Sequence, residues 1–361
     1  MSKTNFWEYK KVLVTGAGGF VGCNLTNALL DAGAEVIALS RSGFGGRLNA
    51  SRNLSIINLD VLQYEDLLQL INKHNIDSIF HMAASAIVSK ALLNPRQTLQ
   101  NNILGTLNLL EAARCSNIHR IVIASSDKAY GDHAEDEFEK LPYKESYGLH
   151  GLDIYSASKV SGDVLAQAYA FQYSMPVIIA RCCNIFGPGD VNFTRLIPKT
   201  AMLLLSGKAP VIKVGHENVL REYIYIDDVI KAYLFLAESA EKHYGPESIN
   251  MPKKGRATIG WPAFNVGSYA KEELVNLANC GNIQSVTQVI KSLRSAIQDI
   301  EPEVVSKQAQ YVEIPDEYLD SSKLVNLGFK SETSFINGIN KTVTWYKDNF
   351  SKLQQDFKKT L

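Results

Sequence analysis

The chain has 361 residues, too many for one small core and enough for two packed domains of the usual ~100 to 200 residues. Lysine plus arginine number 37 and aspartate plus glutamate 37, so no long-range positive field is available for nucleic acid or an anionic membrane, and any phosphate must be held locally. The cysteines, Cys23, Cys115, Cys182, Cys183 and Cys280, form no CxxC pair and have no histidine at ligand spacing, which argues against a metal site or a disulfide framework. No run approaches the roughly 18 apolar residues of a membrane span, and the opening MSKTNFWEYKKVLVTG lacks a signal peptide's apolar stretch. A soluble, cytoplasmic protein is expected.

Short apolar runs alternate with stretches of helical period, the pattern of βαβ units in a parallel sheet. Strands are predicted at Lys11–Thr15, Glu35–Leu39, Ser55–Leu59, Ser78–His81, Arg120–Ala124 and Val177–Ala180. Helices are predicted at Phe20–Ala32, Gln63–Lys73, Pro95–Arg114 and Tyr155–Tyr173. The expected class is α/β, a doubly wound parallel Rossmann sheet followed by a smaller α/β substrate-binding lobe. After Arg181 the regularity breaks at the turn-rich CCNIFGPGD. The domains are read as 1–183 and 184–361, with part of 220–265 returning to the first. The closing KDNFSKLQQDFKKTL reads as a solvated amphipathic helix.

The first strand ends in TGAGGFVG, with Gly16, Gly19 and Gly22 three apart and a helix opening at Phe20 and Val21. Glycine suits a tight turn whose backbone approaches a pyrophosphate held by helix N-terminal amides, so this loop predicts a nicotinamide dinucleotide site. At the end of the second strand, where an acid usually holds the ribose hydroxyls, stand Ser40 and Arg41. The guanidinium fork suits a 2′-phosphate, and NADP is favoured over NAD. Asp60 and Val61 follow the third strand, Asp60 placed to accept from the adenine amino group, and His81 to Ala84 should line the nicotinamide side. The candidate cofactor contacts are therefore Gly16, Gly19, Phe20, Val21, Gly22, Ser40, Arg41, Asp60, Val61, Met82, Ala83 and Ala84, with Asn102, Ser125, Tyr155 and Lys159.

Tyr155 and Lys159 in YSASK are one helical turn apart and share a face. A lysine ammonium beside a phenol favours the phenolate, which can take a hydroxyl proton as hydride leaves the carbon. Upstream, SSDKAYG closes the strand from Arg120, at the sheet edge where open α/β folds place their ligands. Ser126 would bridge a substrate hydroxyl and Tyr155. Asp127 and Lys128 add an acid and a base, which elimination of water from a sugar requires and a simple epimerisation does not.

These motifs, with HMAA at His81, NILGTLNLLEA, RCCNIFGPGD and REYIYIDD, resemble in order the landmarks of the extended short-chain dehydrogenase/reductases, the NAD(P)-dependent epimerase/dehydratase family. FNVGS and LDSSKLVNLGFK extend the resemblance over nearly the whole chain. Within the family the Asp127–Lys128 pair is similar to CDP-glucose 4,6-dehydratases, while the Ser40–Arg41 corner looks more like GDP-mannose dehydratases, which use NADP. The resemblance implies a nucleotide-diphosphate sugar as substrate, with Asn184 at the sugar or its phosphates, Arg195, Leu196 and Ile197 bordering the nucleotide pocket and Arg221 on the pyrophosphate; Ser85 is a further substrate candidate. From the residues alone, Arg221 could equally pair with Asp227 or Asp228.

The expected reaction is oxidation at C4, loss of water across C5 and C6 by Asp127 and Lys128 as acid and base, and hydride return to C6. A C4 epimerisation, an elimination that leaves an unsaturated sugar, and a nucleotide-binding protein without catalysis are the alternatives. Apolar positions on helices 95–114 and 155–173 fit a homodimer seam, and the acidic stretch from Ala134 to Glu145 reads as a surface loop near the site mouth.

Overall fold

A computed structural model describes residues 5–41, 47–116, 118–132, 141–244, 262–268, 281–306 and 316–360. It divides into two compact units: Met1–Phe138, Lys144–Cys182 and Ile230–Val266 form the first, and Glu139–Tyr143, Cys183–Val229 and Gly267–Leu361 the second.

In chain order the elements begin with β1 (Lys11–Thr15), α1 (Phe20–Asp31), β2 (Glu35–Leu39), β3 (Leu54–Ile57), α2 (Tyr64–His74) and β4 (Ser78–His81). Next come α3 (Val88–Leu93), α4 (Pro95–Leu99), a π-helical turn at Gln100–Leu104, α5 (Gly105–Arg114), β5 (Arg120–Ser126), a 3-10 turn at Asp127–Ala129, α6 (Ile154–Tyr173) and β6 (Val177–Cys182). Then follow β7 (Asn184–Phe186), α7 (Leu196–Leu205), β8 (Val211–Lys213), β9 (Leu220–Tyr225), α8 (Ile226–Tyr244) and β10 (Ala263–Val266). The last are β11 (Ile283–Ser285), α9 (Val286–Ala296), β12 (Glu303–Val305), α10 (Ser322–Asn326) and α11 (Phe335–Lys358).

The first unit is built on a seven-stranded parallel sheet of order β10-β6-β5-β4-β1-β2-β3. Its central strands are apolar on both faces and almost wholly buried, as a sheet covered by helices on either side requires: Val12, Leu13, Ile79, Phe80, Ile121 and Val122 are 0% exposed. The chain reversal between β1 and β4 puts the C-terminal ends of β1, β2, β4 and β5 on one edge, where a doubly wound sheet receives its ligand. The α/β class and the doubly wound parallel sheet expected from the sequence are present, with β10 as a seventh strand in addition to the six predicted.

Three boundaries moved. The third strand occupies Leu54–Ile57 rather than 55–59, β5 continues to Ser126, and the single helix expected over 95–114 is interrupted by the π-helical turn. The second unit holds the sheet β11-β9-β7, the pair β12-β8, and α11, whose apolar face is buried through Phe335, Ile339, Val343, Tyr346 and Phe357. The closing helix is therefore anchored rather than merely solvated: Phe357 is 2% exposed and packs edge-on against Phe193, ring centroids 5.3 Å apart. Among the described residues no helix is long and apolar enough to cross a membrane. Cys23, Cys115, Cys182 and Cys183 are free thiols; Cys280 and residues 133–140 of the acidic stretch lie outside the described residues.

Candidate active site

β1 delivers the chain into Gly16, whose φ of +65° lies in the left-handed region. A Cβ at Gly16 would come within 2.7 Å of the Ala83 backbone, and one at Gly22 within 2.3 Å of the Gly16 carbonyl, so the loop can close against β4 and α1 only without side chains. Gly19 caps α1 with no side-chain hydrogen bond, which leaves the first-turn amides for an anion. Arg47 reaches back to donate to the Gly18 carbonyl and pins the loop from outside.

A cavity of about 190 Å³ opens over this loop, lined by Gly16, Gly19, Leu39, Ser40, Arg41, Leu59, Asp60, Val61, Met82, Ala83, Ala84 and Asn101. Nine of the residues expected at the cofactor are thus brought together; Phe20, Val21, Gly22, Asn102, Ser125, Tyr155 and Lys159 are not among those lining it. The glycine loop, the uncapped helix start and the cavity are of a kind that fits a dinucleotide, with the pyrophosphate over Gly16 and Gly19.

Arg41 donates through Nη1 to Asp60 Oδ2 and Asn101 Oδ1, both at 3.2 Å, so its Nε and Nη2 make no hydrogen bond among the described residues. Asp60 takes a second bond from the Leu62 amide at 3.0 Å, so the carboxylate expected to meet an adenine amino group already has protein donors on both oxygens. Asn101 was not foreseen. Its only sequence signal is that it precedes Asn102 at the head of an apolar run.

His81 does not line the cavity. It is 3% exposed, with Nδ1 2.8 Å from Thr15 Oγ1 and Nε2 3.2 Å from Thr106 Oγ1. Thr106 Oγ1 donates to the Asn102 carbonyl, so it accepts from His81, which fixes a neutral ring protonated at Nε2. Burial, then the charge of Lys159, pushes the imidazole down to about 3. His81 is a neutral strut between β1, β4 and α5.

Asn101 and Asn102 both grip the loop after β4. Asn101 donates to Ser85 Oγ at 2.8 Å; Asn102 accepts from the Ser85 amide at 2.7 Å and donates to the Ser85 carbonyl and to Ser158 Oγ on α6. Ser158 in turn donates to the Tyr155 carbonyl at 2.6 Å. Ser85 and the first turn of α6 are therefore held by one network.

α6 begins at Asp153, whose carboxylate caps the amides of Tyr155 and Ser156. Tyr155 is 8% exposed, and Lys159 donates to the Ala124 carbonyl on β5 at 2.9 Å. Burial holds the Lys159 ammonium down at about 8, opposed by the charges of Cys182 and Asp163.

At the end of β5, Ser126 donates to Asp127 Oδ1 at 2.9 Å, and the Lys128 amide donates to the same oxygen at 2.8 Å. Asp127 is 3% exposed, and its Oδ2 has no hydrogen-bond partner among the described residues. Ser125 donates to Asp163, whose two oxygens also clamp the guanidinium of Arg181, itself 2% exposed, at 2.9 Å each. Sequence reading missed this Ser125–Asp163–Arg181 network. A buried Asp on α6 and an Arg inside an apolar strand were its available signals.

In the second unit, Asn184 on β7 donates to the Glu222 carbonyl at 3.1 Å. Arg195, at the start of α7, pairs with Asp190 at 3.0 Å; Leu196 is half-buried and Ile197 is 3% exposed inside the core. Arg221 is buried on β9, its Nε 3.4 Å from Glu317 Oε2. The carboxylate set against Arg221 is thus Glu317: Asp227 is exposed, and Asp228 accepts from Ser331 and the Thr333 amide. Glu317 escaped sequence reading because it comes from a segment 96 residues away.

One of the trifunctional UDP-glucose 4,6-dehydratase/UDP-4-keto-6-deoxy-D-glucose 3,5-epimerase/UDP-4-keto-L-rhamnose-reductases of Arabidopsis thaliana is 29% identical over 353 residues, 95% of this chain and 48% of its own. The chain spans about half the length of these plant relatives. The dTDP-glucose 4,6-dehydratase 1 of Escherichia coli K12 is 27% identical over 364 residues, covering 94% of this chain and 93% of its own. A solved UDP-glucose 4-epimerase of Thermus thermophilus, in complex with NAD, superposes with a TM-score of 0.76 at 25% identity over 93% of this chain and 99% of its own. Residues 12–251 match the profile of the NAD dependent epimerase/dehydratase family. With that match across most of its length and the glycine loop, Tyr155 and Lys159 in place, the chain belongs to the NAD dependent epimerase/dehydratase family.

Proposed function

We propose that the chain is a nucleotide-sugar 4,6-dehydratase, which oxidises a diphosphate-linked hexose at C4, removes water across C5 and C6 and releases a 4-keto-6-deoxy sugar nucleotide. The observation that carries this reading is Asp127. Its Oδ1 is fixed by Ser126 and the Lys128 amide, and its buried Oδ2 is left without a donor among the described residues. A carboxylate oxygen held so costs free energy unless a ligand hydroxyl meets it, which is the task of an acid that protonates a leaving water.

A nicotinamide bound over the glycine loop supplies the hydride acceptor and donor. Tyr155 takes the C4 hydroxyl proton, and Lys159, charged below about pH 8, favours the phenolate it leaves. Ser126 orients that hydroxyl. Lys128 takes the proton from C5 once the neighbouring carbon is a ketone, and Asp127 gives one to the departing C6 hydroxyl. Asn184, Arg195, Leu196, Ile197 and Arg221 are assigned to the nucleotide and its phosphates, Arg221 with its fork steadied by Glu317.

The test is product mass over a panel of CDP-, GDP-, UDP- and dTDP-sugars with either cofactor. A product lighter by one water supports the dehydratase and names its base; an isomer of unchanged mass replaces the reading with C4 epimerisation, which the same Ser126–Tyr155–Lys159 set would serve. Because Lys159 loses its charge as pH rises through about 8, kcat/KM is expected to fall on an alkaline limb near that value. In Lys159→Arg, which stays charged, the limb should move upward; a limb that stays near 8 would remove Lys159 from the role.

NADP is the proposed cofactor, on the unused Nε and Nη2 of Arg41 at the cavity wall. Arg41→Ala is expected to weaken NADP about tenfold to a hundredfold, the ~1.5 to 3 kcal/mol of hydrogen bonds to a charged group, and NAD by less than threefold. Fluorescence titration of both cofactors decides it: tighter NAD in the unaltered protein would reverse the assignment. A homodimer is part of the same proposal, supported by the exposed Leu104, Val164 and Phe171 around α5 and α6. Val164→Asp with Phe171→Asp should give a monomer by light scattering.

A further inference from the structure

The edge of the first unit's sheet opposite the glycine loop carries a second cleft, of about 340 Å³. Lys11 and Glu35, the first residues of β1 and β2, line it with Arg52 from the segment before β3 and Lys73 and His74 from the last turn of α2. No side chain of these five makes an ion pair or hydrogen bond among the described residues, and Glu35 is the sole acid lining the cleft. In a chain whose charges balance overall, this is a local excess of positive charge without a counterion.

Two of the cations have another reason to be there. Lys73 and His74 sit in the last turn of α2 and complement the negative end of its dipole. Lys11 and Arg52 do not; they belong to a strand start and a loop, and they converge on the same space. Three permanent cations facing one carboxylate in a concavity focus field lines on whatever enters, and separations within a cleft of this size are shorter than the ~8 Å over which physiological salt screens. The space is roughly ten times the ~30 Å³ share of a water molecule, enough for a diphosphate with part of its hydration.

We infer that this cleft is a second anion site, distinct from the cofactor loop, which takes a phosphate-bearing small molecule through Lys11, Arg52 and Lys73. The inference does not rest on the proposed reaction. Its phosphates would come either free or carried on a nucleotide.

The experiment is calorimetric titration with inorganic pyrophosphate and with CDP at fixed ionic strength, on the unaltered chain, on Arg52→Glu with Lys73→Glu, and on Arg41→Ala as a control for the cofactor cavity. Arg52 and Lys73 are exposed, so the double variant should keep its unfolding midpoint, which circular dichroism checks. The expected result is saturable binding in the unaltered chain and in Arg41→Ala, weakened at least tenfold in the double variant. Equal affinities for the two probes mark the phosphate group itself as the ligand; a tenfold preference for CDP that the double variant abolishes marks a nucleotide. Binding absent from the unaltered chain, or unchanged in a folded double variant, overturns the inference.

Discussion

Asp127→Asn is expected to slow water loss by ~10² to 10⁴-fold, the range of a missing general acid, while sugar-nucleotide binding and the unfolding midpoint stay close to those of the unaltered chain. The substitution is close to isosteric. The amide oxygen can still accept from Ser126 Oγ and the Lys128 amide, so the 3-10 turn at the end of β5 keeps its anchors. What changes is the second position: Oδ2, buried and without a partner, becomes an NH₂ group that holds no transferable proton. Product assay, calorimetric binding and thermal unfolding separate the outcomes. Turnover within tenfold of the unaltered enzyme would sink the role of Asp127, and a collapse of stability with activity would make it a structural residue.

Asp163→Ala should lower stability by about 3 to 5 kcal/mol, the cost of stripping one partner from a buried ion pair. Asp163 is 1% exposed and its two oxygens accept from Arg181 Nε and Nη2, from Ser125 Oγ and from Gln167 Nε2, at 2.7 to 2.9 Å. Arg181 is left with Tyr130 Oη at 3.0 Å and the Glu145 carbonyl, neither able to balance its charge. Denaturant midpoints with unchanged slope measure the loss. The double change Asp163→Leu with Arg181→Met should recover most of it, because apolar groups of similar volume need no counter-charge. A single variant that costs under about 1 kcal/mol would show that water reaches Arg181 and that the pair is not dry.

What could be read from the sequence follows its local periodicity. Four of the six predicted strands begin and end within two residues of their places, because a parallel strand covered on both faces is a short apolar run that needs no distant partner to be seen. β10 was missed: AFNV is four residues long, and its partner β6 lies some 80 residues earlier. The glycine loop and the Tyr155–Lys159 pair were legible for the same reason, each being a spacing within a single element. The residues that fix them were not. Asn101, Asp163, Arg181 and Glu317 act across elements, and a polar residue destined for the interior carries no mark that distinguishes it from one on the surface. His81 shows the converse: a histidine at a strand end by the cofactor loop reads as a site residue, and the two threonine hydroxyls that enclose it are visible only in three dimensions.

The π-helical turn at Gln100–Leu104 can be regarded as one inserted residue. A regular helix rotates successive side chains by about 100°, so two adjacent asparagines diverge and only one can address a given neighbour. The widened turn lets both Asn101 and Asn102 reach Ser85. Deleting a single residue here would keep the helix apolar and unbroken, yet shift the phase of all that follows it, and Thr106 would turn away from His81. Length, rather than identity, is the constraint on this stretch: a gap of one codon would be more damaging than most substitutions within it.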